Sequence, residues 1–348
     1  MENNRKIRVG ISAGDLNGIG IEILLRTFKD SRMFEFCTPV VYASQKVINF
    51  NKKHFDLNIN VHSASTNGKF SSDKLNVVDV WKDEVNIKFG VENTEIGSYA
   101  VKSLEAAVDA LNSGDIDVLV TAPINKKNIQ SDTFTFPGHT DYLAQRINGN
   151  SLMLMVSGGL RVGLLTDHVP VKDISSKIDK SLIENKVQTV IKTLKQDFQV
   201  QKPKVALLAI NPHAGDNGVI GDEDTSLLAP VIASLKEEGN LVFGPYPADS
   251  FFGSDLYKKF DAIIASYHDQ GLIPFKTLSF GQGVNFTAGL DKIRTSPDHG
   301  TAYEIAGKGE ANESSFKEAV FLAIKLYQNR KQYIALISNV LKKSAKKA

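Results

Sequence analysis

Residues 7–29 read IRVGISAGDLNGIGIEILLRTFK, and this stretch decides the fold class. Residues 7–12 form an apolar run of strand length, a glycine-rich turn follows, and a helix is predicted from about residue 19 to residue 29. The same succession of strand and helix recurs along the chain. Strands that alternate with helices favour a mainly parallel sheet with helices on both faces. The sequence therefore predicts an α/β protein.

Apolar patterning elsewhere predicts the remaining elements. Strands are expected at 40–43, 59–62, 75–80, 117–122, 205–210 and 262–266, and helices at 96–111, 180–198 and 227–238. The runs 151–156 and 161–166 are joined by Ser157-Gly158-Gly159, which predicts a hairpin and an antiparallel pair within the sheet. Two helices, 316–330 and 332–342, are expected to close the chain.

The composition argues against several classes of partner. Of 348 residues, 41 are basic and 39 are acidic, so the net charge of +2 gives no protein-wide field for nucleic acid or an anionic membrane. The longest apolar runs are far shorter than the roughly 20 residues that a membrane span needs. Cys37 is the single cysteine, which is typical of a reducing compartment. With no signal-like segment before residue 11, we predict a cytoplasmic protein.

Three histidines each follow an apolar strand directly: His168, His213 and His268. In open α/β sheets, ligands collect beyond the carboxyl ends of the strands. Imidazole is also a common ligand for zinc and similar divalent ions. The three side chains therefore predict an open metal site with positions left for substrate oxygens. The alternative for each is a hydrogen-bonding residue of a loop.

Basic and polar residues beside glycine or proline predict an anion site. Lys126 and Lys127 follow the predicted strand 117–122. The run 136–141 leads into an apparent helix, so Thr140 and nearby backbone N–H groups could hold an anion at its N-terminus. Further candidates in similar surroundings are Lys276, Asn285 and Arg294.

Two glycine-rich segments could approach a ligand closely. Residues 298–309 are dense in glycine and small side chains, which suits a planar ligand or a structural loop. Residues 14–20 resemble a nucleotide-cradling loop, but they do not complete a dinucleotide fingerprint. A tight turn between strand and helix is the simpler interpretation of this second segment.

Together these segments resemble the 4-hydroxythreonine-4-phosphate dehydrogenase family of pyridoxine biosynthesis. They occur in the family's order over nearly the whole chain, and the most specific are residues 211–215 (NPHAG) and 294–301 (RTSPDHGT). The resemblance implies the fold of isocitrate and isopropylmalate dehydrogenases, with a cleft between two subdomains. Residues 1–120 with 265–348 would form the cofactor side. Residues 121–264 would form the side of the metal, the substrate and the dimer contact.

The resemblance also implies an activity. The enzyme would oxidise the secondary alcohol of 4-phosphooxy-L-threonine with NAD or NADP and a divalent ion (zinc, magnesium, manganese or cobalt). The β-keto acid formed would lose carbon dioxide to give 3-amino-1-hydroxyacetone phosphate, within pyridoxal 5'-phosphate biosynthesis. The family's site is shared between the two subunits of a homodimer.

The family's roles carry over residue by residue. The metal ligands would be His168, His213 and His268; the substrate would contact His139, Thr140, Lys276, Asn285 and Arg294; the cofactor would contact His299 and Glu304. Either His139 or Lys276 would take the proton of the alcohol. Glu304 stands where aspartate is usual, one methylene longer at the expected ribose contact.

Three other functions stay open at this stage. The first is oxidation of a phosphorylated sugar acid, such as threonate or erythronate phosphate, by a sister enzyme of the same family. The second is a metal-dependent phosphohydrolase, since three histidines and several cations also suit cleavage of a phosphate ester. The third is a non-catalytic module that binds a phosphorylated metabolite.

Overall fold

The computed structural model describes residues 5–65, 69–136 and 138–338 and builds them around one twelve-stranded sheet. In chain order the strands are β1 (Ile7–Ser12), β2 (Cys37–Ala43), β3 (Val61–Ala64), β4 (Leu75–Asp79), β5 (Val118–Thr121), β6 (Gly149–Ser157), β7 (Leu160–Leu164), β8 (Lys204–Leu208), β9 (Leu241–Tyr246), β10 (Ala262–Ala265), β11 (Val284–Leu290) and β12 (Arg294–Pro297). Their order across the sheet is β3-β4-β2-β1-β5-β12-β11-β6-β7-β10-β8-β9.

Helices connect the strands. They are α1 (Gly20–Lys29), α2 (Met33–Phe36), α3 (Gln45–His54), α4 (Thr94–Ser113), α5 (His139–Arg146), α6 (Ile174–Lys177), α7 (Lys180–Gln196), α8 (Ala229–Glu237), α9 (Ala248–Gly253), α10 (His268–Ser279) and α11 (Ser314–Ser338). Short 3-10 turns cover Val171–Asp173 and Leu256–Lys259, a π turn covers Asp224–Leu228, and Pro212–Gly218 forms a compact left-handed segment.

Most neighbouring strands are parallel, and the exceptions lie at the middle of the sheet. Strand β11 runs antiparallel to both β12 and β6, and β6 runs antiparallel to β7. The predicted hairpin is present: Gly158 supplies the positive φ that a tight turn between β6 and β7 needs. The predicted fold class, a mainly parallel α/β sheet flanked by helices, is therefore confirmed.

Burial follows from this layered arrangement. Strands β2, β5 and β10 are buried along their whole length, on both faces, which requires a helical layer on each side. On α7 the predicted apolar stripe faces the core: Ile183, Val187, Val190 and Leu194 are all buried. Polar side chains cap helices α3, α4 and α7, where Ser44, Asn93 and Asp179 accept hydrogen bonds from backbone N–H groups of the first turn.

Several elements differ from the prediction. Strand β3 lies at Val61–Ala64 rather than 59–62. Residues 268–279 form helix α10 although Gly271 and Pro274 argue against a helix there. A Cβ at Gly271 would lie 2.9 Å from Cβ of Ala265, so the glycine lets the helix pack closely on the sheet. Strand β11 alternates polar with apolar residues, strand β12 has no apolar pattern, and neither was predicted.

The end of the chain was also predicted wrongly. A single helix, α11, covers Ser314–Ser338, where two helices were expected. No glycine or proline interrupts this stretch, so nothing in its backbone chemistry ends the helix near residue 331. The last four residues of the expected second helix lie outside the described residues.

The sheet continues through both predicted subdomains. Strands β12 and β11, from the first predicted subdomain, lie between β5 and β6. The division at 120/121 and 264/265 stays a prediction. Among the helices of the described chain, none combines the length and the apolar composition needed to cross a membrane.

Candidate active site

A pocket lies beside the middle of the sheet, lined by the starts of α5 and α10 and by residues of β5, β6, β11 and β12. It brings together most of the predicted site residues: His139, Thr140, His168, His268, Lys276, Asn285, Arg294 and His299. His213 and Glu304 do not line it. Lys276 reaches it from α10, and Arg294 from β12, two elements that the sequence did not predict.

Arg294 is a buried cation without a counter-ion. Its side chain donates to Oγ1 of Thr121 and to Oγ1 of Thr287, the latter over 3.0 Å, and the residue is 2% exposed. Within the described residues no carboxylate lies at ion-pair distance from it. Burial lowers the pKa of Arg294 to about 9. A buried charge that meets only hydroxyl groups is costly, so the arrangement fits a site that binds an anion.

His139 begins helix α5 and faces this cation. Burial lowers the pKa of its imidazole well below 6.5, and the positive charges of Arg294 and Lys126 lower it further. Its Nε2 atom is buried and has no hydrogen-bond partner. A neutral imidazole with a free nitrogen in a pocket can exchange a proton with a ligand.

Two further polar atoms of the pocket lack partners. They are Oδ1 of Asn285 and Nε2 of His299, and both are buried. Buried polar atoms are nearly always hydrogen-bonded in folded proteins. Three unpaired atoms around one pocket, counting Nε2 of His139, therefore indicate that a polar ligand completes the site.

His168 and His268 supply part of the predicted metal site. Their ring centroids lie 6.2 Å apart. Nδ1 of His268 lies 2.7 Å from Oδ1 of Asp269, a contact that orients metal-binding imidazoles in many proteins. Nε2 of His168 lies 3.1 Å from Nζ of Lys126. Among the residues described for one chain, no three His, Cys, Asp or Glu side chains are grouped closely enough to hold a metal ion.

His213 does not line the pocket with these two imidazoles, and it lies on an exposed segment with unusual backbone conformation. Four of its residues have φ between 43° and 55°, a region that residues with a Cβ seldom adopt: His213, Ala214, Asp216 and Asn217. The carboxylate of Asp224 accepts hydrogen bonds from the backbone N–H groups of Ile210 (2.8 Å) and Asn211 (3.0 Å) and so anchors the segment. Two imidazoles fit a divalent ion chemically, but one chain leaves the ligand set incomplete. The role of His213 stays a prediction.

The glycine-rich turn 14–20 has a structural role in this fold. Gly14 has a φ of 67°, and a Cβ there would lie 2.3 Å from the carbonyl oxygen of Pro123. Asp15 is buried and accepts a 2.6 Å hydrogen bond from the hydroxyl group of Tyr303. The turn thus packs against neighbouring segments and does not line the pocket, as expected for a tight turn between strand and helix.

Sequence reasoning missed Asp298 as a site residue. This carboxylate lines the pocket, and burial raises its pKa while the charges of Lys276 and His299 oppose that change. Its position directly before His299, within the glycine-rich segment already singled out, was the available signal. Glu304 is exposed, and its expected contact with a cofactor stays a prediction.

The residues beside His299 fit a cofactor in one respect. A Cβ at Gly300 would meet no heavy atom within 4 Å, so there is open space beside the residue that follows His299. A planar ring could enter there. Taken together, the sheet and the pocket define an α/β enzyme that acts on a small, polar, anionic substrate.

Comparison with known proteins identifies the family. Residues 35–323 match the family model described as "Pyridoxal phosphate biosynthetic protein PdxA". The match covers most of the chain, and the chain belongs to this family. The family predicted from the sequence is confirmed.

Named relatives agree. The chain is 47% identical over 345 residues to the 4-hydroxythreonine-4-phosphate dehydrogenase of Bacteroides thetaiotaomicron, covering 99% of this chain and 94% of that protein. It is 39% identical to the enzyme of the same name from a Sulfurihydrogenibium species, covering 93% and 100%. The crystal structure of a 4-hydroxythreonine-4-phosphate dehydrogenase from Burkholderia phymatum superposes with a TM-score of 0.76 at 32% identity, covering 93% of this chain and 99% of that chain.

Proposed function

We propose that this protein is a 4-hydroxythreonine-4-phosphate dehydrogenase. It oxidises the secondary alcohol of 4-phosphooxy-L-threonine with NAD or NADP, and the β-keto acid formed loses carbon dioxide to give 3-amino-1-hydroxyacetone phosphate. One observation carries the proposal: Arg294 presents a buried charge without a counter-ion to a pocket in which three other buried polar atoms lack partners. The names of the relatives support the substrate and the reaction.

The pocket supplies fixed groups for an anionic substrate. Arg294 and Lys276 provide positive charge for its phosphate and carboxylate groups, and Asn285 provides a hydrogen-bonding amide. Because these groups stand on helix α10 and strands β11 and β12, they hold the substrate in one orientation. Orientation of the reacting carbon toward the nicotinamide is the main contribution of the protein to hydride transfer.

His139 is the residue that we assign as proton acceptor, with Lys276 as the alternative. Hydride leaves the carbon more easily as the alcohol loses its proton. The lowered pKa keeps His139 neutral, and an anion bound beside Arg294 would move that pKa back toward 6.5. His139 would therefore become a stronger base only when the substrate, whose hydroxyl group gives up the proton, is bound.

The cofactors belong to the proposal as well. We assign the metal ion to His168 and His268 of one chain with His213 of a second copy, and the nicotinamide cofactor to His299 and Glu304. A divalent ion supplies Lewis acidity, which lowers the pKa of a substrate hydroxyl group. The identity of the ion and the choice between NAD and NADP follow from direct assay.

A homodimer is the form in which the ligand set would be complete. Large apolar side chains are exposed on the segments that carry or follow the three histidines: Val171, Val219, Ile273 and Phe280, at 78%, 81%, 64% and 86%. Exposed apolar groups of this size favour a face that another chain covers. We place the enzyme in the cytoplasm, as its cysteine content suggests.

The test is an assay of nicotinamide reduction. Purified protein is mixed with NAD or NADP and with 4-phosphooxy-L-threonine, with and without a chelator. We expect cofactor reduction with this substrate and its loss on chelation. Phosphate release without cofactor reduction would instead identify a phosphohydrolase, and binding without any turnover would identify a non-catalytic module.

Asp298 favours the amino acid over a phosphorylated sugar acid. A carboxylate in the pocket attracts the ammonium group of 4-phosphooxy-L-threonine, which 4-phosphothreonate lacks. We expect Asp298→Asn to lower kcat/KM for the amino acid by roughly tenfold or more and to change that for the sugar acid much less. Steady-state assays with both substrates measure this. Equal losses on the two substrates would exclude a role of Asp298 in this choice.

A further inference from the structure

Lys126 and Lys127 are neighbours in sequence but have different partners. Nζ of Lys127 lies 3.6 Å from Oε2 of Glu92 on the surface. Lys126 lines the pocket, and its Nζ lies 3.1 Å from Nε2 of His168. In the part of the chain that the structure describes, no carboxylate lies at ion-pair distance from Lys126. Its ammonium group is therefore a cation without a counter-ion, directed into the active site.

The contact with His168 leaves the ammonium group incompletely satisfied. An ammonium group has three N–H donors, and the imidazole nitrogen accepts one of them without offering a negative charge. A phosphate group accepts several such bonds and carries the opposite charge, so it is the stronger partner. Lys126 would exchange the imidazole for a phosphate that came within reach.

Such a phosphate position adjoins Lys126. A Cβ at Gly138 would lie 3.7 Å from Cε of Lys126, so the lysine side chain passes the first turn of α5. His139 and Thr140 of that turn line the same pocket, and N–H groups at a helix N-terminus favour anions. The ammonium group and the start of α5 can thus hold one anion together.

Metal binding and the contact with His168 exclude each other. Nε2 of His168 has one lone pair, and a divalent ion would use it at about 2.0–2.1 Å. An ammonium group 3.1 Å from the same nitrogen uses the same lone pair. The two cations also repel each other. A metal ion that binds His168 must therefore release Lys126.

We propose that Lys126 is a further substrate-binding residue with two positions. Its ammonium group caps His168 while metal and substrate are absent, and it turns to the phosphate group at the start of α5 once a metal ion takes Nε2. Each ligand then favours the other, because each benefits when Lys126 has left His168. The inference deepens the proposed function and rests on it for the identity of the phosphorylated ligand.

The test uses Lys126→Met with Lys127→Met as the matched control, both in the full chain. Co²⁺ is titrated into metal-free protein and followed by its visible absorption on imidazole coordination. We expect Lys126→Met to bind Co²⁺ several-fold more tightly than the unmodified protein, because the competing cation is gone. Lys127→Met should match the unmodified protein.

Inorganic phosphate is then titrated into each protein with and without Co²⁺. In the unmodified protein, Co²⁺ should tighten phosphate binding about fivefold or more, and Lys126→Met should abolish this coupling while weakening phosphate binding roughly tenfold. Lys126→Arg, which keeps the charge, should restore most of the phosphate affinity. Equal Co²⁺ affinities for Lys126→Met and the unmodified protein, or coupling that persists in Lys126→Met, would overturn the proposal.

These measurements do not depend on turnover. If the protein fails to oxidise 4-phosphooxy-L-threonine and the Co²⁺–phosphate coupling still requires Lys126, the proposed function is wrong and the two-position role stands. If the protein oxidises 4-phosphooxy-L-threonine and the Co²⁺–phosphate coupling does not require Lys126, the proposed function stands and the two-position role of Lys126 is wrong.

Discussion

Two buried arginines differ in what lies opposite their charge. Arg330 forms a bidentate ion pair with Asp197, with N–O distances of 2.7 and 2.8 Å. Arg294 meets threonine hydroxyl groups instead. The first arrangement stabilises the native fold by satisfying both partners. The second keeps a charge available for a ligand, at a cost to the fold.

Substituting the two arginines separates these roles. We expect Arg330→Met to lower the free energy of unfolding by about 3–5 kcal/mol, because it leaves Asp197 buried and unpaired. Arg294→Met should leave that free energy unchanged or raise it, while KM for the substrate rises at least roughly tenfold. Urea unfolding and steady-state kinetics measure the two effects. A marked loss of stability in Arg294→Met, with KM unaltered, would contradict this division.

The pH dependence of stability carries a contribution from His139. Its folded-state pKa lies below the unfolded value of 6.5, so the unfolded chain takes up a proton that the folded chain does not as pH falls. The stabilising contribution is present above pH 6.5 and is lost as pH falls below it. His139→Gln should therefore lose less stability on acidification than the unmodified protein. Urea unfolding on either side of pH 6.5 tests this, and parallel losses in both proteins would show that His139 has no such effect.

Some residues of the site could be predicted from the local sequence, and others could not. Histidine at the end of an apolar strand is a local signal, and it led to His168 and His268. Thr121 and Thr287 hold Arg294 in the pocket. These contacts form because strands β5, β12 and β11 are neighbours in the sheet. Their sequence separation gives no hint of that contact.

At the scale of elements, the segment Pro212–Gly218 is held in a costly conformation. Ala214 has a φ of 53° and carries a Cβ that glycine would lack. Strain concentrated beside a predicted metal ligand fits a segment shaped for binding. The sequence NPHAG identified the family, but its left-handed backbone was not predictable because alanine and histidine ordinarily disfavour it.

Replacing Ala214 with glycine should relieve this strain. Relief of a left-handed conformation is worth about 1–2 kcal/mol, and the flexible glycine loses about 0.4–1 kcal/mol of entropy on folding. We therefore expect Ala214→Gly to raise the free energy of unfolding by up to about 1 kcal/mol in urea titrations. Ala107→Gly, in the buried interior of helix α4, is the control and should lower it by more than about 1 kcal/mol, because it loses helix propensity and a buried methyl group. A loss of stability in Ala214→Gly would mean that the segment is not strained.

Elements with a clear apolar period were predictable, whereas those that depend on tertiary contacts were not. Helix α7 shows its stripe in the sequence. Helix α10 contains Gly271 and Pro274, and it forms because the glycine allows close packing on the sheet. Strand β12 reads RTSP, which has no apolar pattern, and it is buried by its neighbours in the sheet. Local propensity is overridden at both places, and both contribute to the pocket.

At the scale of the whole molecule, the separation of His213 from the other two histidines predicts a shared site. His213→Ala and His268→Ala should each lose metal content and turnover together. Mixed dimers of the two variants would contain one complete site, with His168 and His268 from one chain and His213 from the other. Random mixing should then restore about a quarter of the original activity.

The measurement compares co-expressed or refolded mixtures with each variant alone. A mixture as inactive as its components would show that all three ligands come from one chain, or that the chains do not assemble as proposed. Full activity and metal content in His213→Ala would remove that residue from the site altogether.

The uncompensated guanidinium of Arg294 has a consequence for the lifetime of the enzyme. Any anion that settles beside it stabilises the folded form by mass action, in proportion to the logarithm of its concentration. Protein without a bound anion at this position should unfold more often and be cleaved sooner by proteases. Nutrient supply would then set the abundance of the enzyme as well as its flux, and a phosphate buffer would conceal the effect that a phosphate-free one reveals.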